Sequence, residues 1–301
     1  MNKSLIILIS SLIVIIIISK LLQRRTLNKQ LEHFSNKKSV EKVQSDDIYD
    51  KFYCNIYDDL FGDRGKVIFE VKQIRKHALE KWKPKSSIKI LDAGCGTGWH
   101  LKLLSKDYDI VGVDRSPHML NRAKRINNSD ILKLGNINDS SLFKRNTFSH
   151  VMCLYFTIYY MEDMIRTLRN FHKWLKPNGV LILHVVDREK FDPLLNHASP
   201  FPFFSLQKYS KKRLTESKVH FNNFIYKANF TLDAKKNKCN FTETFNYKKK
   251  PQIRKQVHHL NMPTRDSIVT MARNNGFKLF HKIGLIPVSF EYQYIYLFRK
   301  V

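Results

Sequence analysis

The sequence predicts an α/β protein of three layers, a mostly parallel sheet between helices, with an inserted basic β-hairpin and one transmembrane helix ahead of it. Three observations carry this prediction. A short apolar strand from Ile88 runs into glycines at alternate positions, Gly94, Gly96 and Gly98, and then into a helical pattern. A second apolar strand, Asp109–Asp114, ends in a carboxylate 22 residues after Asp92. An uncharged apolar run, Leu5–Ser19, opens the chain.

The composition sets the bounds. With 301 residues, 43% hydrophobic and 26% charged, the chain is long enough for one large α/β domain or two small ones, and wholesale disorder is excluded. Four cysteines without paired spacing exclude a disulfide scaffold and a thiolate zinc cage. Lys and Arg number 53 against 26 Asp and Glu, a net +27. That excess predicts attraction to polyanions, either nucleic acid or an anionic lipid surface, and says nothing about fold. Solvated lysines of a Lys-rich composition give the same number.

Leu5–Ser19 contains no helix breaker, and with Lys20, Leu21 and Leu22 it reaches the length of a thin bilayer core, about 27 Å. No small-residue cleavage site follows, so residues 1–22 read as an uncleaved signal anchor. Lys20, Arg24, Arg25, Lys29, Lys37 and Lys38 crowd the carboxyl side, which places the large remainder in the cytosol as a single-pass membrane protein. Free cysteines fit that reducing side. Asn-x-Ser/Thr triplets at Asn127, Asn138, Asn229 and Asn240 would carry glycan in a lumenal domain. Residues 23–45 are polar and aperiodic, a juxtamembrane linker to a domain at 46–301.

In that domain, glycines at the strand-to-helix turn allow positive φ and let a ligand approach bare backbone. The helix behind them offers unpaired N–H groups. The spacing G-x-G-x-G is not the dinucleotide G-x-G-x-x-G, and no Gly-Lys-Ser/Thr follows for a phosphate loop. Adjacent parallel strands put Asp114 beside the glycines, where a carboxylate accepts both hydroxyls of a ribose. Ser116-Pro117 then starts a helix, with Met119, Leu120 and Ala123 on one face.

Asp92-Ala-Gly94-Cys-Gly96-Thr-Gly98, followed by Asp114-Arg-Ser116-Pro-His-Met119-Leu120-Asn-Arg-Ala123, resembles a class I S-adenosylmethionine-dependent methyltransferase of Rossmann-like fold. Phe148–Leu154 resembles the family's fourth strand, Leu175-Lys176-Pro177-Asn178-Gly179 its turn before the fifth, and Tyr292–Phe298 its antiparallel last strand. The resemblance implies S-adenosyl-L-methionine as cofactor. It places Asp92, Gly94, Cys95 and Gly96 around the methionine part, Asp114 on the ribose, Arg115 beside the adenine, and Asn136 with Ile137 at the adenine edge. Leu154 and Tyr155 would face the transferable methyl. Asn136 stands where the family often has an acid, and Ser149 where it usually has Asp.

A sulfonium methyl is already activated, so positioning carries most of the barrier reduction, and no catalytic base is assigned. The weak candidates are Tyr53, Tyr57 and Tyr155. Tyr49, Tyr53 and Tyr57, four apart before the first strand, share one helix face that closes over the cofactor or simply packs as aromatic core. His184 reads as a base or as a satisfied core histidine. His258-His259 has no metal spacing, and no metal site is expected.

Residues 202–260 hold fourteen Lys/Arg against Glu216, Asp233 and Glu243. Aromatic positions on both sides of a polar turn at Asp233–Lys238 predict a hairpin, about 219–247, over the substrate mouth. Its basic and aromatic residues serve stacked bases, anionic lipid headgroups, or a core under a solvated face. The function expected is a membrane-tethered methyltransferase with a small-molecule, lipid or protein acceptor. The alternatives are an RNA methyltransferase using the hairpin, or a cofactor-binding scaffold without activity.

Overall fold

The computed structural model describes residues 18–20, 39–43, 47–193 and 214–301. The expected anchor falls almost wholly outside the described residues, among which no helix is long and apolar enough to cross a membrane.

The main sheet forms from β2 (Lys89–Ala93), β3 (Asp109–Asp114), β4 (Leu132–Leu134), β5 (Phe148–Cys153), β6 (Leu175–Val186), β11 (Phe277–Leu285) and β12 (Phe290–Lys300). Their order is β11-β12-β6-β5-β2-β3-β4. The five strands from β6 to β4 are parallel, and β12 pairs antiparallel with both β6 and β11. From β2 the chain first builds outward through β3 and β4, then returns to the other side of β2 through β5 and β6. That reversal opens a crevice at the carboxyl ends of β2 and β5, where α/β sheets bind ligands.

Alternation along the strands builds the two outer layers. Leu91, Ala93, Val151, Cys153, Leu181 and Leu183 face α5 (Met164–Trp174) and α6 (Arg265–Asn274). Ile90, Met152, Val180 and Ile182 face α2 (Arg64–His77) and α3 (Trp99–Leu104). Ser149, in place of the family acid, is fully buried and ties β5 to β2: its hydroxyl accepts from the Lys89 N–H at 2.9 Å and lies 3.0 Å from the Lys89 carbonyl. The Lys176-Pro177-Asn178-Gly179 turn is absorbed into β6, where Leu175 to Val180 stand against only Phe148 to His150.

The predicted hairpin is larger than expected. β7 (Glu216–His220), β8 (Phe224–Asp233), β9 (Lys238–Tyr247) and β10 (Gln252–Asn261) form an antiparallel sheet, and β1 (Ser39–Val43) joins β10 in parallel. So part of the stretch expected as linker, 23–45, is an edge strand. Five residues with one apolar alternation carry no strand signal of their own; the free edge of β10 supplies it.

The aromatics of this sheet point inward. Phe224, Tyr226 and Phe245 are buried with Tyr53 and Leu60 of α1 (Lys51–Phe61), and the Phe52 ring meets Phe245 at 5.3 Å. They are core, so stacking on bases is not available to them. Asp50 caps α1, accepting from the Tyr53 N–H at 2.9 Å, and its other oxygen takes Arg254 of β10 at 2.6 Å. Arg254 is 2% exposed, also donates to Gln256 and the Ile48 carbonyl, and lies over the Phe52 ring. Truncating Arg254 to Ala should therefore cost about 2–4 kcal/mol in chemical denaturation, because several buried acceptors lose their donor together.

Candidate active site

Gly94 and Gly96 take φ of 77° and 54°, conformations that L side chains rarely adopt. A Cβ on Gly94 would lie 2.4 Å from Thr157 Cγ2, so the loop is pressed against the segment after β5. Above Gly96 nothing stands within 4 Å, and its backbone faces open space. The N–H groups of Gly94 and Cys95 donate to the Val113 carbonyl at 2.8 and 2.9 Å, which holds the loop to β3.

Asp114 turns into this crevice. Its Oδ2 accepts from Gly96 N–H and its Oδ1 from Ser116 N–H, both at 2.9 Å. Burial raises its pKa above the ordinary carboxylate value, while those backbone donors work against the rise. Each oxygen keeps acceptor capacity for one further hydroxyl. Asp92, 2% exposed, leaves Oδ2 without a partner. Burial pushes its pKa up to about 6, with His100 opposing and Asp114 and Glu70 adding to the rise.

These groups floor a cavity of about 590 Å³, within the range of small-molecule sites. All nine residues expected at the cofactor line it, as do Tyr53, Tyr57 and Tyr155. Ile137 and Leu154 are buried, whereas Arg115 and Asn136 stand at the exposed rim. The Asn136 carboxamide oxygen accepts from Asn138 N–H at 3.0 Å, a role for which the residue's amide suffices where the family has an acid.

Helix α1 roofs the cavity. Asp58 accepts from Thr97 Oγ1 of the glycine loop at 2.7 Å and pairs with Arg122 of α4 (Pro117–Ala123) at 3.5 Å. Ser116 Oγ, the cap of α4, donates to the Tyr49 carbonyl at 2.8 Å. Tyr49 precedes α1, yet its ring lies 5.6 Å from Tyr53 and 6.3 Å from Tyr57, so the spacing of four does gather all three. Tyr155 holds a φ of 52° and faces Lys66 Nζ, 4.4 Å from its ring centre.

His184 is a core histidine. It is fully buried, outside the cavity wall, bonded through Nδ1 to the Tyr155 carbonyl and 3.1 Å from the Gln293 side chain; burial lowers its pKa to about 4. His258 is different, and sequence reasoning missed its role. Tyr160, on the cavity wall, donates to His258 Nδ1 at 2.7 Å. His258 Nε2 donates to Glu243 Oε2 at 2.6 Å. Tyr226 and Gln256 also donate to Glu243, each at 2.6 Å. Burial alone would raise the Glu243 pKa; His258 and the hydroxyl donors outweigh it and hold the group below its usual value, ionised. A signal existed: Glu243 occupies an inward strand position between Phe241 and Phe245. On the opposite wall, Lys66, Glu70 and His100 form a second buried chain, with Glu70 at 3.5 Å from Lys66 and 2.8 Å from His100. Among the described residues, no three His, Cys, Asp or Glu are grouped to hold a metal.

The methyltransferase domain family model matches residues 66–282. The chain belongs to the S-adenosylmethionine-dependent methyltransferase family. It is 29% identical over 173 residues to a glycine/sarcosine N-methyltransferase of Halorhodospira halochloris, covering 52% of this chain and 60% of that one. It is 30% identical over 149 residues to a dTDP-4-amino-2,3,4,6-tetradeoxy-D-glucose N,N-dimethyltransferase of Saccharopolyspora spinosa, covering 47% of this chain and 57% of that one. The chain thus spans little more than half the length of these curated relatives. In fold it resembles a methyltransferase from Clostridium acetobutylicum, with TM-score 0.60 at 17% identity, covering 83% of this chain and 98% of that one. It also resembles the S-adenosylmethionine-bound amino pentose methyltransferase CalS10 of Micromonospora echinaspora, with TM-score 0.54 at 18% identity, covering 79% and 91%.

S-adenosylmethionine is the cofactor, and the residues fit it. The orphaned Asp92 oxygen suits a cationic methionine end, the bare Gly96 backbone leaves passage, and Asp114 retains capacity for ribose hydroxyls. Asp114→Ala should weaken cofactor binding by about 1.5–3 kcal/mol in titration calorimetry. The pH dependence has a definite sign. A cationic ligand favours ionised Asp92, so affinity should rise with pH through about 6. In Asp92→Asn most of that slope should vanish.

Proposed function

We propose that the protein is an N-methyltransferase of a small amine, anchored at a membrane by residues 5–22 with its catalytic domain in the cytosol. The observation that carries the chemistry is the chain Tyr160–His258–Glu243, which begins in the cavity wall and ends on a fully buried carboxylate. The bound cofactor supplies an activated methyl group. An acceptor that arrives as an ammonium must lose a proton before its nitrogen can attack, a hydroxyl as it attacks, and this chain offers a sink for that proton. The nucleophile's proton passes to the Tyr160 oxygen while the phenol proton passes to His258 Nδ1. The resulting imidazolium is held by Glu243. Burial keeps the Tyr160 hydroxyl well above the ordinary phenol range, so it works as a bridge and not as a free phenolate.

The cavity walls support this acceptor class. The rings of Tyr49, Tyr57, Tyr155 and Tyr160 present π faces or polar edges to a cavity of small-molecule size, an environment suited to an amine that gains methyl groups. The curated relatives named above act on glycine or sarcosine and on an aminosugar nucleotide. Buried aromatics in the second sheet speak against the RNA reading. The two departures from the family pattern do not speak for an inactive scaffold, because Ser149 and Asn136 both carry structural hydrogen bonds.

The test is release of S-adenosylhomocysteine with glycine, ethanolamine, phosphoethanolamine and an aminosugar nucleotide, beside a cell extract fractionated into small molecules, lipid, protein and RNA. Label is expected in the small-molecule fraction; label in protein or RNA alone would sink the amine reading. Tyr160→Phe should lower kcat about 10²- to 10⁴-fold with cofactor affinity unchanged. For the anchor, the full chain is expected in the membrane pellet after alkaline carbonate extraction, and its recovery in the supernatant would remove that part of the proposal.

A further inference from the structure

The outer face of the second sheet takes no part in the cavity, and strand register draws four lysines across it in one line. Lys42 on β1 stands opposite Lys255 on β10, Lys255 opposite Thr244 on β9, Thr244 opposite Lys227 on β8, and Lys227 opposite Lys218 on β7. All four lysines are exposed, while the neighbouring row, Arg254, Phe245 and Tyr226, is buried against α1. At a strand spacing of about 4.8 Å the line is about 19 Å long. Two of its steps, Lys42 to Lys255 and Lys227 to Lys218, set like charges directly opposite each other, an arrangement that costs stability in a free sheet. The carboxylates of this face lie off the line: Glu216 is bonded to Asn229, and Asp233 pairs with Lys236 at the far turn.

The next row on the same face is Val40, Ile253, Asn246 and Ile225. Val40 is 53% exposed and the two isoleucines are half-buried. Beyond that row comes the exposed turn Lys248-Lys249-Lys250, and there Ser39 N–H donates to the Pro251 carbonyl at 3.0 Å. The edge strand β1 therefore begins beside the basic turn, with sixteen residues between it and Leu22. Sixteen residues reach no further than about 55 Å. Lysines beside an apolar row, on a sheet whose aromatics face inward, match a lipid headgroup layer better than stacked bases.

We propose that this face docks on an anionic phospholipid surface, the lysine line and the basic turn meeting headgroup phosphates while Val40, Ile253 and Ile225 sit at headgroup level. The inference is independent of the methyl acceptor. The chain's four cysteines are buried, so a Thr242→Cys variant of the full chain takes a fluorophore selectively in the middle of this face. The probe is phosphatidylcholine vesicles with and without about 30% phosphatidylserine, carrying nitroxide headgroups that quench on contact.

With the anchor holding the chain at either vesicle, quenching of this label is expected to be strong with phosphatidylserine, much weaker with phosphatidylcholine alone, reversed to the phosphatidylcholine level by about 0.5 M salt, and insensitive to lipid charge for a control label at Lys102→Cys on α3. The combined variant Lys42→Gln, Lys218→Gln, Lys227→Gln, Lys255→Gln should lower the docked-to-undocked ratio of this face, read as the phosphatidylserine-dependent quenching, by two to three orders of magnitude, about fivefold for each lysine. All four side chains are exposed, and the salt reversal in the parent chain gives a reading that does not depend on the variant's folding. Quenching that ignores lipid charge, salt or the four lysines overturns the proposal. So does polyuridylate RNA that lifts the label from the vesicle at lower concentration than the lipid binds it, which would assign the face to nucleic acid.

Discussion

The carboxylate of Asp50 serves two structures at once: one oxygen caps the first turn of α1, the other holds the Arg254 guanidinium of the second sheet. Helix α1 is thereby fixed from its amino end to a sheet that packs on one of its faces, while Asp58, two turns on, reaches the glycine loop on the other side. The cavity exists because the helix is held at both ends. Its floor comes from the parallel sheet and its roof from α1, which the second sheet backs. Without the ionic pair at Asp50, the amino end of that roof would rest on the aromatic packing of Phe52 and Tyr53 and on the Ser116 bond to the Tyr49 carbonyl.

Burial decides the electrostatics inside. Removing Asp92 and Asp114 from water raises both pKa values, so a cation arriving at the glycine loop meets carboxylates whose charge is poorly solvated and therefore strongly attractive. On the roof side the balance differs. Glu243 is more deeply buried, but three donors, Tyr226, Gln256 and His258, converge around it, and its pKa is held below the usual value. One wall thus offers acceptors to a positive ligand, and another offers an anchored base to a proton. Both are properties of a site kept dry by its roof.

The second sheet joins two surfaces of opposite character. Its inner face is aromatic and ionic core, joined to α1 and to the cavity through Tyr160 and His258; its outer face carries lysine, threonine and asparagine beside the row of Val40, Ile253 and Ile225. The expectation of a hairpin at 219–247 captured the alternation that makes these faces, but not the number of strands. Glu243 and His258 are likewise visible as inward polar residues, yet their meeting depends on register: Glu243 faces Gln256, with His258 the next inward residue along β10. No local pattern carries that information.

What the sequence by itself determined is the part made by neighbours along the chain: the strand–glycine–helix turn, the acid ending β3, the apolar layers, and the nine residues expected at the cofactor, all of which line one cavity. Those features depend on backbone conformation and a period of two or 3.6, both short-range properties. Only the tertiary structure decided that Ser39–Val43 is a strand, that the basic segment gives four strands of a five-stranded sheet, that Tyr160 and His258 connect the cavity to Glu243, and that four lysines from four strands form one line. Each of these joins residues far apart in the chain. Such contacts are set by the pairing of edges and the burial of faces, which a linear pattern does not contain.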